Sequence, residues 1–105
     1  MKICLFGGTF DPPHIGHLLI AQTVFEAEKF DKVIFVPANK PPNKKAFSAP
    51  ATRVEMLKLA VEGNPNFEIS DIEIKRGGIS YTIDTIRAIK NELNFKYDKL
   101  FYLIG

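Results

Sequence analysis

Apolar residues in this chain fall into short continuous runs, separated by stretches in which apolar and polar positions alternate at helical spacing. The first run, KICLF at residues 2–6, is ended by Gly7-Gly8 and predicts a strand buried on both faces. From Gly16 to about Lys29, Leu18, Leu19, Ala21, Val24, Phe25 and Ala27 recur with a period near 3.6, opposite Gln22, Glu26 and Glu28, and predict a helix. KVIFVP at residues 32–37 predicts a second buried strand, stopped by Pro37 because proline cannot donate to a central ladder. A loop rich in proline and lysine follows. Pro50-Ala51-Thr52 opens a helix carrying Val54, Met56, Leu57, Leu59, Ala60 and Val61, closed by Gly63-Asn64-Pro65. FEISDIEIK at residues 67–75 alternates with period two and predicts a strand, RGGIS a loop, and Thr82 to Leu93 a helix with Ile83, Ile86, Ala88, Ile89 and Leu93 on its apolar side. KLFYLIG at residues 99–105 predicts a final buried strand.

Strands that alternate with helices at these intervals imply right-handed βαβ crossovers and an α/β domain with a mainly parallel sheet, spanning residues 1–105. In such sheets ligands bind outside the carboxyl ends of the strands. The loops after residues 6 and 37 therefore lie where a ligand is expected to bind.

Composition narrows the function classes. Apolar residues make up 46% of the 105, enough for a real core, and the net charge of +2 gives no argument for nucleic acid or a membrane surface. Cys4 is the single cysteine, so an internal disulfide is excluded, and its apolar run marks it as a small buried residue. No apolar run reaches the roughly 18 residues that span a bilayer, and a strand pattern directly after Met-Lys leaves no room for a signal peptide; a cytoplasmic location is the expectation.

Both histidines fall in one stretch, LFGGTFDPPHIGH, residues 5–17. Gly7 and Gly8 allow unusual dihedrals and close approach of a ligand to the backbone. A helix start near Gly16 would aim N–H groups and the positive dipole end at the same space, with His17 in its first turn. Asp11-Pro12-Pro13 stiffens the connection and holds His14. Two imidazoles that can each donate to a phosphate oxygen suit an anion clamp. A metal site is the competing reading, but two histidines without further histidine or cysteine make a poor zinc set. Neither a Walker loop nor the three-glycine dinucleotide pattern is present.

Gly8-Thr9-Phe10-Asp11 followed by His14-x-Gly16-His17 resembles the signature of the HxGH nucleotidyltransferases, a Rossmann-like superfamily. The longer GGTFDPPHIGH, with VPANKPP after the second strand and SYTIDT before a helix, looks like nicotinate-nucleotide adenylyltransferase. The resemblance implies attack of the 5′-phosphate of nicotinate mononucleotide on the α-phosphorus of ATP, giving deamido-NAD and pyrophosphate with magnesium carried by ATP. It implies no covalent enzyme intermediate. Open alternatives are a phosphate- or nucleotide-binding fragment that does no chemistry and a related adenylyltransferase with another acceptor such as phosphopantetheine.

Carried over residue by residue, the resemblance implies catalytic roles for His14 and His17. It implies ATP and phosphate binding at Gly7, Gly8, Thr9, Phe10, Gly16 and Lys44, and nicotinate-nucleotide binding at Asn39, Tyr81 and Thr82. Lys40, Lys44 and Lys45 crowd the proline-stiffened loop, which reads either as a triphosphate contact or as a solvated basic loop. The family usually has histidine where this chain has Asn43. Thr82 is expected to cap a helix beginning at Ile83, with backbone near Tyr81 and Thr82 offered to a nicotinate carboxylate. Arg53, Arg76 and Arg87 read as surface residues. The resemblance covers essentially the whole chain but only the first part of the family's usual length, since the acidic, aromatic and ISSTxIR features expected later do not occur. The expectation is a domain truncated after a central strand, with an apolar edge open to self-association.

Overall fold

A computed structural model describes residues 2–10, 15–39, 49–78, 81–93 and 99–104. The strands are β1 (Lys2–Gly8), β2 (Lys32–Pro37), β3 (Phe67–Ile69) and β4 (Lys99–Ile104), and the helices α1 (Ile15–Ala27), α2 (Pro50–Val61), α3 (Ile72–Arg76) and α4 (Thr82–Leu93). The sheet has the order β3-β2-β1-β4 and every pair is parallel, with Leu5 opposite Ile34 on one side and Tyr102 on the other. Parallel pairing explains why β1 and β2 read as continuous apolar runs: each is covered by helices on both faces.

Alternation along the strands sorts the core into two layers. Cys4, Phe6, Val33 and Phe35 point to one face, where they pack with Phe10, Ala21, Leu57 and Val61 under α1 and α2. Ile3, Leu5, Ile34 and Val36 point to the other and pack with Ile89 of α4 and Ile72 of α3. Burial pushes the Cys4 thiol up to about 11, the direction expected when an apolar layer disfavours the thiolate.

Three expectations change. Only the first third of the 67–75 segment is strand. The Ser70 N–H donates to the Phe35 carbonyl and ends the ladder, the Ile72 N–H reaches the Ser70 hydroxyl, and the Lys75 N–H donates to the Asp71 carbonyl, so the chain turns into α3. Short polar side chains that bond nearby backbone offer the chain this alternative to a ladder. The buried stripe of α2 is Arg53, Leu57 and Val61, while Leu59 is exposed; that of α4 runs through Thr85 and Ile89, leaving Ile83 exposed. Leu19 of α1 is likewise on the surface. The third change concerns β4, expected to be buried. It pairs with β1 alone among the described strands, and its Phe101 is 40% exposed beside the Lys2 ammonium and the Phe30 ring.

Gly7 shows what fixes β4. A Cβ added there would lie 2.0 Å from the Tyr102 hydroxyl oxygen, so the tyrosine occupies the space that glycine leaves. This glycine thus has a packing role within β1, and its φ is not in the left-handed region. Gly7→Ala is expected to cost about 1–3 kcal/mol in denaturant unfolding, with a smaller cost when Tyr102 is already alanine. A second measurement concerns pH. A thiol that ionises near 9 in the unfolded chain and near 11 in the folded one contributes stability that is whole below pH 9 and is lost as pH rises toward 11. Cys4→Ala should flatten that part of the stability profile.

Candidate functional site at the carboxyl edge of the sheet

β1 and β2 run in register to Gly8 and Pro37, and the Ala38 N–H donates to the Gly8 carbonyl at 2.9 Å, so the two strands leave the sheet side by side. Beyond them, Thr9 and Phe10 turn back over the α1 face. Phe10 has φ 51°, a left-handed conformation uncommon for a bulky residue, which costs on the order of 1–3 kcal/mol unless packing holds it. Packing does hold it: its ring is buried and meets Phe6 at 5.5 Å, Phe35 at 5.8 Å and His17 at 5.1 Å, all edge-on. Gly8 lies beneath, where a Cβ would sit 3.3 Å from that ring. Phe10 thus belongs to the core, and any contact its residue makes with phosphate falls to its backbone.

His17 lies in the first turn of α1, as expected, and its ring also packs edge-on to Phe6 at 6.2 Å. The two phenylalanines fix the imidazole plane at the helix start, and Gly16 precedes it in that turn. His14 falls outside the described residues, as do Asp11, Lys40, Asn43, Lys44 and Lys45.

Arg53 reverses its expected place. It is fully buried, and its guanidinium faces the strand ends from the first turn of α2. Nη1 donates to the Thr9 carbonyl at 2.9 Å and to the Ala38 carbonyl; Nη2 donates to the Asn39 carbonyl at 3.0 Å. A planar fork with five donors can bind three carbonyls from two segments of the chain, which a lysine ammonium cannot match. The signal was present in the sequence: Arg53 stands four and eight residues before Leu57 and Val61, in phase with the apolar stripe, in a helix opened by Pro50. Arg76 and Arg87 are exposed, as expected.

Asn39 carries the connection onward, its Nδ2 donating to the Gly78 carbonyl at 2.9 Å. Gly77 and Gly78 have φ of 75° and 68°, which only glycine adopts easily, so this loop requires its glycines for their conformation, where β1 requires Gly7 for space. Its far end is anchored by Thr85, whose N–H and hydroxyl both lie within bonding distance of the Tyr81 carbonyl. The same hydroxyl donates to the buried Glu73 carboxylate, and the Arg76 guanidinium reaches its oxygen at 3.3 Å. Tyr81 is half exposed, and α4 spans Thr82–Leu93 as expected, with Thr82 inside the helix rather than capping it. No group of three His, Cys, Asp or Glu that could hold a metal ion occurs among the described residues, and no helix among them is long and apolar enough to cross a membrane.

The structure therefore brings together the strand ends at Gly7 and Gly8, the turn at Thr9 and Phe10, the α1 start at Gly16 and His17, Asn39, and the glycine loop that leads to Tyr81 and Thr82. Sequence reading missed Arg53, Glu73 and Thr85, which position these segments. Thr85→Val should destabilise the fold by about 1–3 kcal/mol, because the buried Glu73 carboxylate then lacks its hydroxyl donor; equilibrium unfolding would check this, and Thr85→Ser should retain most of the stability.

Comparison with known proteins places this arrangement. A family profile described as cytidylyltransferase-like matches residues 5–105. A protein of Caldicellulosiruptor saccharolyticus named "Probable nicotinate-nucleotide adenylyltransferase" is 47% identical over 106 aligned positions, covering 100% of this chain and 52% of its own length. The nicotinate-nucleotide adenylyltransferase of Bacillus subtilis is 45% identical, with 99% and 55% covered. This chain thus spans about half the length of these curated relatives. Among solved structures, Plasmodium falciparum nicotinic acid mononucleotide adenylyltransferase complexed with NaAD shares the fold at a TM-score of 0.75 and 18% identity, covering 99% of this chain and 50% of that one. With a parallel α/β sheet, a glycine-histidine turn at its carboxyl edge and a profile match over nearly its whole length, the chain belongs to the cytidylyltransferase-like family.

Proposed function

We propose that this chain carries the nucleotide-binding and reaction-centre half of a nicotinate-nucleotide adenylyltransferase, which transfers AMP from ATP to nicotinate mononucleotide and releases deamido-NAD and pyrophosphate. The observation that carries the reading is the union of the GGTF turn, the α1 start at His17 and the glycine loop before α4 at one edge of the sheet, in a chain 45–47% identical to proteins of that name.

The chemistry asks little covalent work of the protein. The 5′-phosphate of the mononucleotide attacks the α-phosphorus, the bond to the bridging oxygen breaks, and pyrophosphate leaves with its electron pair. Magnesium enters with ATP and shields the phosphates. The protein aligns the two substrates and meets the charge that spreads over the phosphate oxygens. His17, held by Phe6 and Phe10 at the positive end of α1, donates to such an oxygen. His14, Lys44 and the backbone of Gly7, Gly8, Thr9, Phe10 and Gly16 complete the ATP side by resemblance to the family. Asn39, Tyr81 and Thr82 form the acceptor side, where backbone N–H groups at the start of α4 suit a nicotinate carboxylate. The reaction is one of the cytoplasm.

A second reading has its own support. The glycine turn and the N–H groups at the start of α1 also suit a module that holds a nucleotide phosphate without reacting it. Pyrophosphate release from ATP and magnesium by residues 1–105 separates the two, with nicotinate mononucleotide, nicotinamide mononucleotide and phosphopantetheine compared as acceptors. Release dependent on nicotinate mononucleotide is expected, and His17→Ala should lower it by on the order of 10²–10³. ATP binding without release would favour the binding module; release only with phosphopantetheine would move the chain to another acceptor class.

A further inference from the structure

The segments assigned above to ATP and to the acceptor are not separate loops that meet at a substrate. The Thr9 carbonyl, the Arg53 guanidinium, the Asn39 peptide and side chain, and the Gly78 carbonyl form one continuous hydrogen-bonded line, with contacts of 2.9, 3.0 and 2.9 Å. Its first member follows β1, its second comes from α2, its third follows β2 and its last precedes α4. Arg53 is fully buried, and Asn39 is partly buried with its amide turned to the glycine loop.

The geometry points to Arg53 and Asn39 as positioning residues that couple the two half-sites: Arg53 sets the Thr9–Phe10 turn against the β2 end, and Asn39 passes that setting to the Gly77–Gly78 loop. This rests on the assignment of those loops to ATP and nicotinate mononucleotide. It changes the role of Asn39, whose side chain acts through Gly78 rather than on the ligand. The physical basis is rigidity. A guanidinium that spans carbonyls from both strand ends moves only as a unit, so displacement of one peptide displaces the other. The glycine loop has soft backbone at φ 75° and 68°, and it takes its position from what it is bonded to. Occupation of one half-site then fixes the peptide that shapes the other, which is a coupling free energy between two binding events.

The test uses Arg53→Lys, Asn39→Ala and the double variant of the 105-residue chain, with calorimetric titration of ATP and of nicotinate mononucleotide and amide NMR of the unliganded protein. Asn39→Ala is expected to weaken nicotinate mononucleotide about ten-fold, and Arg53→Lys to weaken both ligands by a similar factor. The double variant should weaken nicotinate mononucleotide by less than the product of the two single effects. In the unliganded chain, Asn39→Ala should shift the amide resonance of Phe10, which shares the Thr9 peptide, as well as that of Gly78. A merely structural role would lower melting temperature and leave the two effects multiplicative. Multiplicative effects, affinities within two-fold of wild type in folded variants, or an unmoved Phe10 resonance would each overturn the coupling. Should Arg53→Lys fail to fold, Asn39→Ala with its Phe10 resonance decides alone. If the wild-type chain binds neither ligand, the assignment of the half-sites fails, while the Phe10 shift still tells whether the line transmits.

Discussion

A cation placed out of water inside a small domain is costly unless it is hydrogen-bonded, and the architecture around Arg53 is shaped by that requirement. The guanidinium satisfies peptide carbonyls that the chain exposes on leaving β1 and β2, where the ladder has ended and backbone oxygens would otherwise need water or a ligand. Both sides of the transaction gain: the charge finds acceptors, and the carbonyls are turned toward α2. Backbone N–H groups in the Thr9–Phe10 turn are thereby left to serve the opposite side of the peptide plane. The edge is polar in its backbone and apolar in its floor, where Phe6 stacks on Phe35 and Phe10 meets both edge-on.

That aromatic floor gives the histidine its setting. An imidazole bordered by two phenyl edges has few rotamers left, so little side-chain order remains to be lost in any new contact. The same ring contacts hold Phe10 in its left-handed conformation. Core packing and site geometry are therefore one set of contacts, and a change in the volume of Phe6 would be felt at His17 before it was felt at the sheet.

Much of this fold was legible in the sequence because continuous apolar runs have few alternatives. β1, β2 and β4 begin where KICLF, KVIFVP and KLFYLI begin, and α1, α2 and α4 lie within a residue or two of their periodic segments. The failures have physical causes. Residues 72–75 alternate as a strand would, yet Ser70 and Asp71 turn the backbone first, and the buried Glu73 is tolerated because Thr85 donates to it. Burial by pairing is likewise invisible to hydropathy: Arg53 and Thr85 carry polar labels but sit on buried stripes, and Ile83 and Leu59 carry apolar labels but do not. Of the site, the glycine-histidine turn was readable as a motif, whereas its supports were signalled only by the phase of Arg53 with the apolar stripe of α2. They depend on contacts between residues far apart in the chain.

The parallel topology has a consequence for the order in which this molecule can assemble. β1 is a central strand, yet one of its two neighbours is β4, so Lys2 meets Lys99 and Leu5 finds its second partner at Tyr102. Closing loops of that length precedes any reward from the contacts, which slows folding and makes it strongly cooperative. On the ribosome, the residues of the first strand wait until residues 99–104 have been synthesised before their second edge is filled. The turn after β1 is thus made early, while the strand that carries it is held on both sides only when β4 arrives.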